Sequence, residues 1–352
     1  MKGNRKRTCG NPVWIRAAVV LLLISILASV MPDAVAKRKT SGDFYGTKWS
    51  YNTKTKTLTL SCKGAMDDEY SQMYAGYWPW KVWRGEMERI VVKEGVTYVG
   101  CSVANNCYNV KSVSLPKSLK RIGYGVFENT KITKIKLPSN LRIVGSWSFA
   151  NTKLKEITIP SNVTRIDKAA FEFCKNLTKV QLPKKLEKIS DELFIYCPQL
   201  KTITLPSSVT QIGEGAFYQS GLTTITIPKK VTFKTNKLTT IEASLFEGCK
   251  KLTAITLPGS ITKIKKQAFK GSGLTAITIP GQVTAIEEEA FANCKGLKEI
   301  TFTGSQLTGI GSNAFRNVPA DCVFRVPLGQ AEAVKEQLTE SGLADSITVT
   351  EY

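Results

Sequence analysis

The sequence predicts a β-rich solenoid of about ten coils of 22–23 residues, closed by an amino-terminal cap and a carboxy-terminal αβ unit. Two residue types repeat with one period along the 352-residue chain. A proline ends a short apolar segment at Pro116, Pro138, Pro160, Pro183, Pro206, Pro228, Pro258 and Pro280. A phenylalanine recurs at Phe127, Phe149, Phe171, Phe194, Phe217, Phe246, Phe269, Phe291 and Phe315. A shared period of this length indicates coils that bury their apolar edges against one another.

Residues 1–36 have the three parts of a secretory signal peptide. Basic residues precede an apolar run from Ala17 to Met31, and an Ala-Val-Ala sequence at 34–36 offers a cleavage site. An uncleaved anchor is the alternative, but 15 residues give a helix of about 22 Å, shorter than the ~30 Å hydrocarbon core. We therefore expect cleavage, no membrane-spanning segment in the mature chain, and a secreted or cell-surface location.

Each repeat predicts one strand followed by a return of the chain. Ile157 and Ile159 lie two residues apart and point inward, whereas Thr158 points outward. Pro160 lacks an N–H and ends the strand, and Phe171 completes the core of the coil. By this pattern the coils begin at Ile90, Val113, Ile135, Ile157, Val180, Ile203, Ile225, Ile255, Ile277 and Ile300.

The repeat resembles the leucine-rich repeat of BspA-like bacterial surface and secreted proteins. Leu154, Ile157, Ile159 and Asn162 match the L-x-x-I-x-I-x-x-N core, and the Ala-Phe pair at 170–171 follows. The resemblance implies a leucine-rich repeat solenoid that serves binding and adhesion, on many unrelated targets. It divides the chain into a signal peptide (1–36), a cap (37–88), repeats (89–317) and a carboxy-terminal capping unit (318–352).

The cap holds an aromatic cluster, and an acidic run lies beside it. The cluster comprises Tyr70, Tyr74, Tyr77, Trp78, Trp80 and Trp83. We expect it to plug the open end of the solenoid, although exposed rings would instead stack on sugars. The run Asp67-Asp68-Glu69 would suit a glycosidase, but nothing else in the sequence supports one.

Composition argues against an enzyme. The chain contains no histidine, which excludes Ser-His-Asp and Cys-His nucleophiles and H-E-x-x-H zinc sites. No cofactor or metal site is predicted. A second acidic run, Glu287-Glu288-Glu289, is interpreted as solvated. The net charge is +21, from 49 basic and 28 acidic residues.

The cysteines follow the repeat. One position, three residues after the core phenylalanine or its substitute Ala104, holds Cys107, Thr130, Thr152, Cys174, Cys197, Ser220, Cys249, Ser272 and Cys294. A position that accepts Cys, Thr and Ser favours small, buried structural side chains over disulfides or zinc. A bridge between Cys62 and Cys101 remains an alternative at the cap.

Candidate binding residues lie on the outward side of the strands and in an insertion. The strand candidates are Lys134, Lys136, Glu156, Thr158, Lys179 and Gln181. The insertion lengthens one repeat between Pro228 and Pro258, and its candidates are Lys229, Lys230, Phe233, Lys234 and Lys237. Insertions in solenoids often lie on the binding face.

These features predict a secreted or cell-surface protein that binds a host or envelope protein or glycan through its strands. The alternative is a charge-driven binder of polyanions such as teichoic acid or sulfated glycans. It would use two basic groups, Lys120, Arg121, Arg142, Arg165, Lys184, Lys185 and Lys188, then Lys250, Lys251, Lys263, Lys265, Lys266 and Lys270. No motif for specific nucleic-acid recognition is present.

Overall fold

The computed structural model describes residues 38–66, 78–228, 239–344 and 346–352. They form a β-solenoid of about eleven turns of about 23 residues. Each repeat coil has three sides, namely a first strand row, a second strand row and a turn row that carries the core phenylalanines. The predicted solenoid is therefore confirmed.

The first strand row begins inside the cap and runs to the carboxy terminus. Its strands pair in parallel, except for the antiparallel pairs β1–β2 and β2–β3 that open the cap. They are β1 (Ser41–Phe44), β2 (Thr47–Asn52), β3 (Thr57–Ser61), β5 (Arg89–Val92), β7 (Ser112–Ser114), β10 (Glu156–Thr158), β12 (Lys179–Gln181), β17 (Ala276–Ile279), β19 (Glu299–Phe302), β21 (Val323–Val326) and β22 (Thr348–Glu351).

The second strand row consists mostly of two-residue strands and was not predicted as strands. Its members are β4 (Gly64–Ala65), β6 (Val96–Val99), β8 (Arg121–Ile122), β9 (Ile143–Val144), β11 (Arg165–Ile166), β13 (Lys188–Ile189), β14 (Gln211–Ile212), β15 (Thr240–Ile241), β16 (Lys263–Ile264), β18 (Ala285–Ile286) and β20 (Gly309–Ile310). In most of them the second residue is a buried Ile or Val. Two residues are too few for a periodicity to show in the sequence.

Four of the ten predicted strand starts lack a regular strand. The segment around Ile135 has no assigned strand and Ile135 is only half-buried, although Lys155 N still donates to Thr133 O of the coil before (3.2 Å). The segments of Ile203, Ile225 and Ile255 contribute only the isolated bridges Thr204–Thr226 and Thr226–Thr256. Neighbouring coils remain in register there, but their hydrogen bonds are too few to form a continuous ladder.

The core is a continuous stack of nine phenylalanine rings, one from each coil after the first. Consecutive ring centroids lie 5.1–5.9 Å apart with interplanar angles of 3–29°. All nine side chains are buried. The backbone continues the stack, because Phe149 N donates to Ala170 O of the next coil (2.9 Å). This explains why phenylalanine recurs with the coil period.

The amino-terminal end is closed by tryptophans. Trp78 and Trp80 stack at 4.8 Å, and their indoles donate to the carbonyls of Cys101 and Val103 in the first coil (both 2.9 Å). Trp83, in the 3₁₀ helix that begins at Pro79, is buried as well. The predicted plug is confirmed for these tryptophans, whereas Tyr70, Tyr74, Tyr77 and the run Asp67-Asp68-Glu69 lie outside the described residues.

The carboxy-terminal end is closed by one helix and the last two strands. Helix α1 (Ala331–Glu340) buries Val334 and Leu338. Phe324 of β21 meets the last core ring, Phe315, edge to face at 5.4 Å. The described residues contain no helix that is long and apolar enough to cross a bilayer.

Candidate binding surfaces

The strand face is formed by the outward residues of β10 and β12. The two strands pair in parallel, with Glu156 opposite Lys179 and Thr158 opposite Gln181. All four side chains are exposed, while Ile157 and the residue opposite it face the core. Thr158 Oγ1 lies 3.5 Å from Gln181 Oε1. The structure therefore brings these four candidates together on one surface.

Lys134 and Lys136 extend this surface by one coil. Both are exposed, and they flank Ile135 in the segment without an assigned strand. Among the described residues, no carboxylate lies within ion-pair distance of Lys134, Lys136 or Lys179. Glu156 stands opposite Lys179 in register but forms no ion pair with it. Three uncompensated ammonium groups consequently occupy this end of the strand face.

The same row changes character toward the carboxy terminus. Its outward residues there are Thr204, Thr226, Thr256 and Thr278, all exposed. Small β-branched side chains are the usual occupants of a half-exposed strand position. The charged end of the row is thus the part that departs from what the fold requires.

Four of the six lysines in the second predicted basic group form ion pairs, and three of these pairs involve the surface carboxylates at 287–289. Lys263 pairs with Glu287 at 2.7 Å and Lys266 with Glu288 at 2.8 Å. Glu289 bonds both Lys270 (2.7 Å) and Arg316 (3.0 Å), and these bonds hold the pKa of its carboxyl below the usual value. Lys265 pairs with Glu242 at 2.6 Å. These pairs form because stacked coils place a lysine of one coil beside a glutamate of a neighbouring coil.

The insertion candidates Lys229, Lys230, Phe233, Lys234 and Lys237 all lie outside the described residues. Their role as a binding loop stays a prediction from the sequence.

The cysteine row is a buried hydrogen-bond ladder, as the sequence predicted. The Cys174 thiol donates to Phe149 O of the preceding coil (3.2 Å) and lies 3.3 Å from Thr152 Oγ1. Cys249 repeats this arrangement with Phe217 O (3.1 Å) and Ser220 Oγ (3.4 Å). Cys107, Cys197 and Cys294 are free and buried in the same row.

This row does not supply reactive thiols. Burial raises the pKa of Cys174 and of Cys249 to about 11, which suppresses the nucleophilic thiolate. No cluster of three metal-ligating side chains occurs in the described parts of the chain. Cys62 is a free thiol, so the alternative of a Cys62–Cys101 bridge is wrong.

The turn row carries a group of surface aromatics that the sequence analysis missed. Phe173 and Tyr196 stack with their ring centroids 4.4 Å apart and their planes 11° from parallel. Tyr218 meets Tyr196 edge to face at 5.3 Å. The first two occupy the position two residues after the core phenylalanine. Asparagine or glycine stands there in most coils, and that contrast is the signal that could have revealed them.

Comparison with known proteins identifies the repeat. The sequence model for the BspA type leucine-rich repeat region, six copies, matches residues 83–201, 122–236 and 229–324. The chain belongs to the BspA-type leucine-rich repeat family. Its matched segments contain the whole charged end of the strand face. Members of such repeat families typically bind other molecules through the extended surface of their stacked coils.

Solved structures of bacterial leucine-rich repeat proteins resemble the chain at low identity. One from Bacteroides ovatus is 22% identical, with 88% of this chain and 99% of that chain covered, at a TM-score of 0.39. One from Eubacterium ventriosum is 25% identical, with coverages of 78% and 93% and a TM-score of 0.47. The pneumococcal vaccine antigen PcpA is 16% identical, with coverages of 89% and 98% and a TM-score of 0.49. No curated protein matches the sequence.

Proposed function

We propose that this protein is a secreted or cell-surface binding protein that recognises a macromolecule through the charged end of its strand face. The observation that supports this most is the group of uncompensated lysines, Lys134, Lys136 and Lys179, beside the exposed Thr158 and Gln181. Membership of the BspA-type family and the signal-peptide pattern of residues 1–36 support an extracellular role. The partner would be a host or envelope protein or glycan.

The surface suits a ligand with matching carboxylates or other anionic groups. Lysines that lack internal partners keep their charge available, and a rigid sheet fixes their spacing along the row. Threonine and glutamine side chains beside them add hydrogen-bonding groups of either kind. Such a mixture of fixed charge and polar groups favours recognition of one shape over general attraction to negative charge.

A charge-driven binder of polyanions is the second candidate. Lys120, Lys184 and Lys185 also lack ion pairs with the described residues, and the chain as a whole carries +21. Electrostatic binding of this kind weakens steeply as salt is added, whereas binding through a complementary surface persists.

A salt titration with paired charge-reversal variants separates the two. The purified protein would be tested by surface plasmon resonance against matrix proteins, sulfated glycans and teichoic acid, at low and at high salt. Lys136→Glu with Lys179→Glu alters the strand face. Lys250→Glu with Lys251→Glu is the matched control, because these two lysines are also exposed and lie far along the solenoid.

The proposal expects one ligand to bind at high salt and to be lost only in the strand-face variant. If binding to every polyanion is lost at high salt and both variants bind equally weakly, binding depends on net charge and not on the strand face. A ligand that binds both variants like the parent would refute the strand face as the site.

A further inference from the structure

The turn row imposes a backbone conformation that aromatic residues disfavour. Two residues after the core phenylalanine, φ is positive in every described coil, from 49° to 69°. The occupants are Asn129, Asn151, Phe173, Tyr196, Gln219, Gly248, Gly271, Asn293 and Asn317. Asparagine and glycine adopt this left-handed region readily, whereas a bulky side chain is an outlier there. Phe173 (54°) and Tyr196 (55°) are therefore exceptions that the fold does not need.

These two side chains do not serve the core. The core rings of the same coils are Phe171 and Phe194, which are fully buried. Phe173, by contrast, is 36% exposed, and Tyr196 is half-buried. Strained residues of this kind that lie at the surface point to a function rather than to packing.

The Phe173 side chain is partly open to solvent, and Tyr196 is its one ring partner among the described residues. One face of the ring is covered by Tyr196, whose ring lies parallel at 4.4 Å. Because Tyr196 covers the side toward the next coil, the exposed part of Phe173 is the part that the next coil does not cover. The preceding coil places Asn151 at the equivalent position, and Asn151 is too short to cover a phenyl ring.

The asparagines of the preceding coils form a row of hydrogen-bonded side chains that ends one coil before Phe173. Asn151 Nδ2 donates to Asn129 Oδ1, and Asn129 Nδ2 donates to Asn106 Oδ1, each at 2.7 Å. The chain of amides ends at Asn151 Oδ1, which accepts no hydrogen bond from a described residue. An acceptor without a partner among the described residues therefore lies one coil before the partly exposed Phe173.

We propose that Phe173, Tyr196, Asn151 and Asn129 form a binding shelf for a neutral pyranose of a glycan. The C–H groups on one face of a sugar ring pack well on the electron-rich face of an aromatic ring. Hydroxyl groups on its edge would donate to Asn151 Oδ1. An aromatic ring and an amide on neighbouring coils match a sugar ring that is apolar on its face and polar on its rim.

The carboxylate of Glu172 disfavours a sulfated sugar on its side of the shelf. Glu172 precedes Phe173 and accepts a hydrogen bond from Trp147 Nε1 (2.6 Å), which fixes a carboxylate beside the shelf. A sulfate or uronate group would be repelled there. The shelf lies on the turn row, on a different side of the coil from the strand face, so the proposal goes beyond the function proposed above.

Isothermal titration calorimetry with neutral oligosaccharides tests the shelf. Probes would be oligomers of glucose, mannose and N-acetylglucosamine, with a sulfated disaccharide for comparison. Phe173→Asn is the test variant, because Asn already stands at this position in neighbouring coils and should preserve the fold. Tyr45→Asn is the matched control, since Tyr45 is also an exposed aromatic with positive φ (58% exposed, 47°) but lies in the cap.

The proposal expects one neutral oligosaccharide to bind the parent and to lose about tenfold in affinity in Phe173→Asn. Tyr45→Asn, and Lys136→Glu with Lys179→Glu, should bind it like the parent, so that the shelf and the strand face fail or succeed separately. Circular dichroism must show Phe173→Asn folded. Absence of binding by every neutral sugar, equal binding by Phe173→Asn, or loss of only a protein ligand in that variant would overturn the shelf.

Discussion

Raising the pH above 9 should destabilise the protein through its buried cysteine row. Cys174 and Cys249 have no exposed surface, and their thiols donate to carbonyls of the preceding coil. Burial raises the pKa of each from 9.0 to about 11. In the unfolded chain these thiols ionise two pH units earlier, so alkaline conditions favour the unfolded state.

The sign and the size of the effect follow from this difference. The stabilising contribution is fully present below pH 9, where both states keep the proton, and it is lost as the pH rises toward 11. One pKa unit corresponds to about 1.4 kcal/mol. Each thiol should therefore lower the free energy of unfolding by about 1 kcal/mol at pH 10 and by about 3 kcal/mol above pH 11.

This pH-dependent loss of stability is measured by urea unfolding, followed by circular dichroism, at pH 8 and at pH 10 with reductant present. The variant Cys174→Ser with Cys249→Ser places at both positions a residue that the row already uses at Ser220 and Ser272. We expect the variant to lose about 2 kcal/mol less than the parent between the two pH values. Cys62→Ser, outside the row and only half-buried, is the control and should change the pH dependence less.

An equal loss of stability in parent and variant would refute the reasoning, because the thiols would then not be the groups that ionise on unfolding. Comparison between variants is essential here. Other groups titrate over the same interval, but their contributions are the same in both proteins and cancel.

Three further predictions concern packing and charge. Phe194→Ala should lower the free energy of unfolding in urea by about 3–5 kcal/mol, because it opens a cavity inside the ring stack. Phe173→Ala, at the surface, should lower it far less. Similar losses in the two variants would contradict the stacked core. Lys81, whose pKa burial lowers to about 8, loses its proton more readily in the folded state. Stability should therefore rise between pH 8 and 10.5 on its account, and Lys81→Met should flatten that rise in thermal melts. Gly145→Ala should destabilise by about 1–3 kcal/mol, because its Cβ would lie 2.6 Å from backbone of the neighbouring coil, while Gly259→Ala meets nothing within 4 Å and should be neutral in the same assay.

The sequence predicted those features in which one position of the coil has the same structural role in every repeat. The core phenylalanines and the Cys, Thr and Ser row belong to this class, because a stacked coil presents the same space to its neighbour at each turn. The plug that contains Trp78 and Trp80 was predictable because the open end of a solenoid exposes apolar core that must be covered. Periodicity reveals such positions without any knowledge of the register between coils.

Features that depend on the register itself were not predictable. Glu289 bonds Lys270 and Arg316, residues that lie 19 and 27 positions away, and only the stacking of three coils brings them together. From the sequence alone, the run Glu287-Glu288-Glu289 has no identifiable partner. The second strand row was not predicted for a related reason. Two residues such as Arg165–Ile166 become a strand only by pairing with Ile143–Val144.

Two sides of the solenoid change composition within the same stretch of the axis. On the strand face, charged residues such as Lys136 and Lys179 give way to threonine. On the turn row, the aromatics Phe173 and Tyr196 give way to Gly248 and Gly271. The packing demands are the same in every coil, as the uninterrupted phenylalanine stack shows, so stability does not require the change on either side. On these two surfaces the earlier coils carry unpaired lysines and two aromatic residues with positive φ, whereas the later coils carry threonine on one surface and glycine or asparagine on the other. Both of the binding surfaces proposed above therefore lie in the coils between Asn129 and Tyr218.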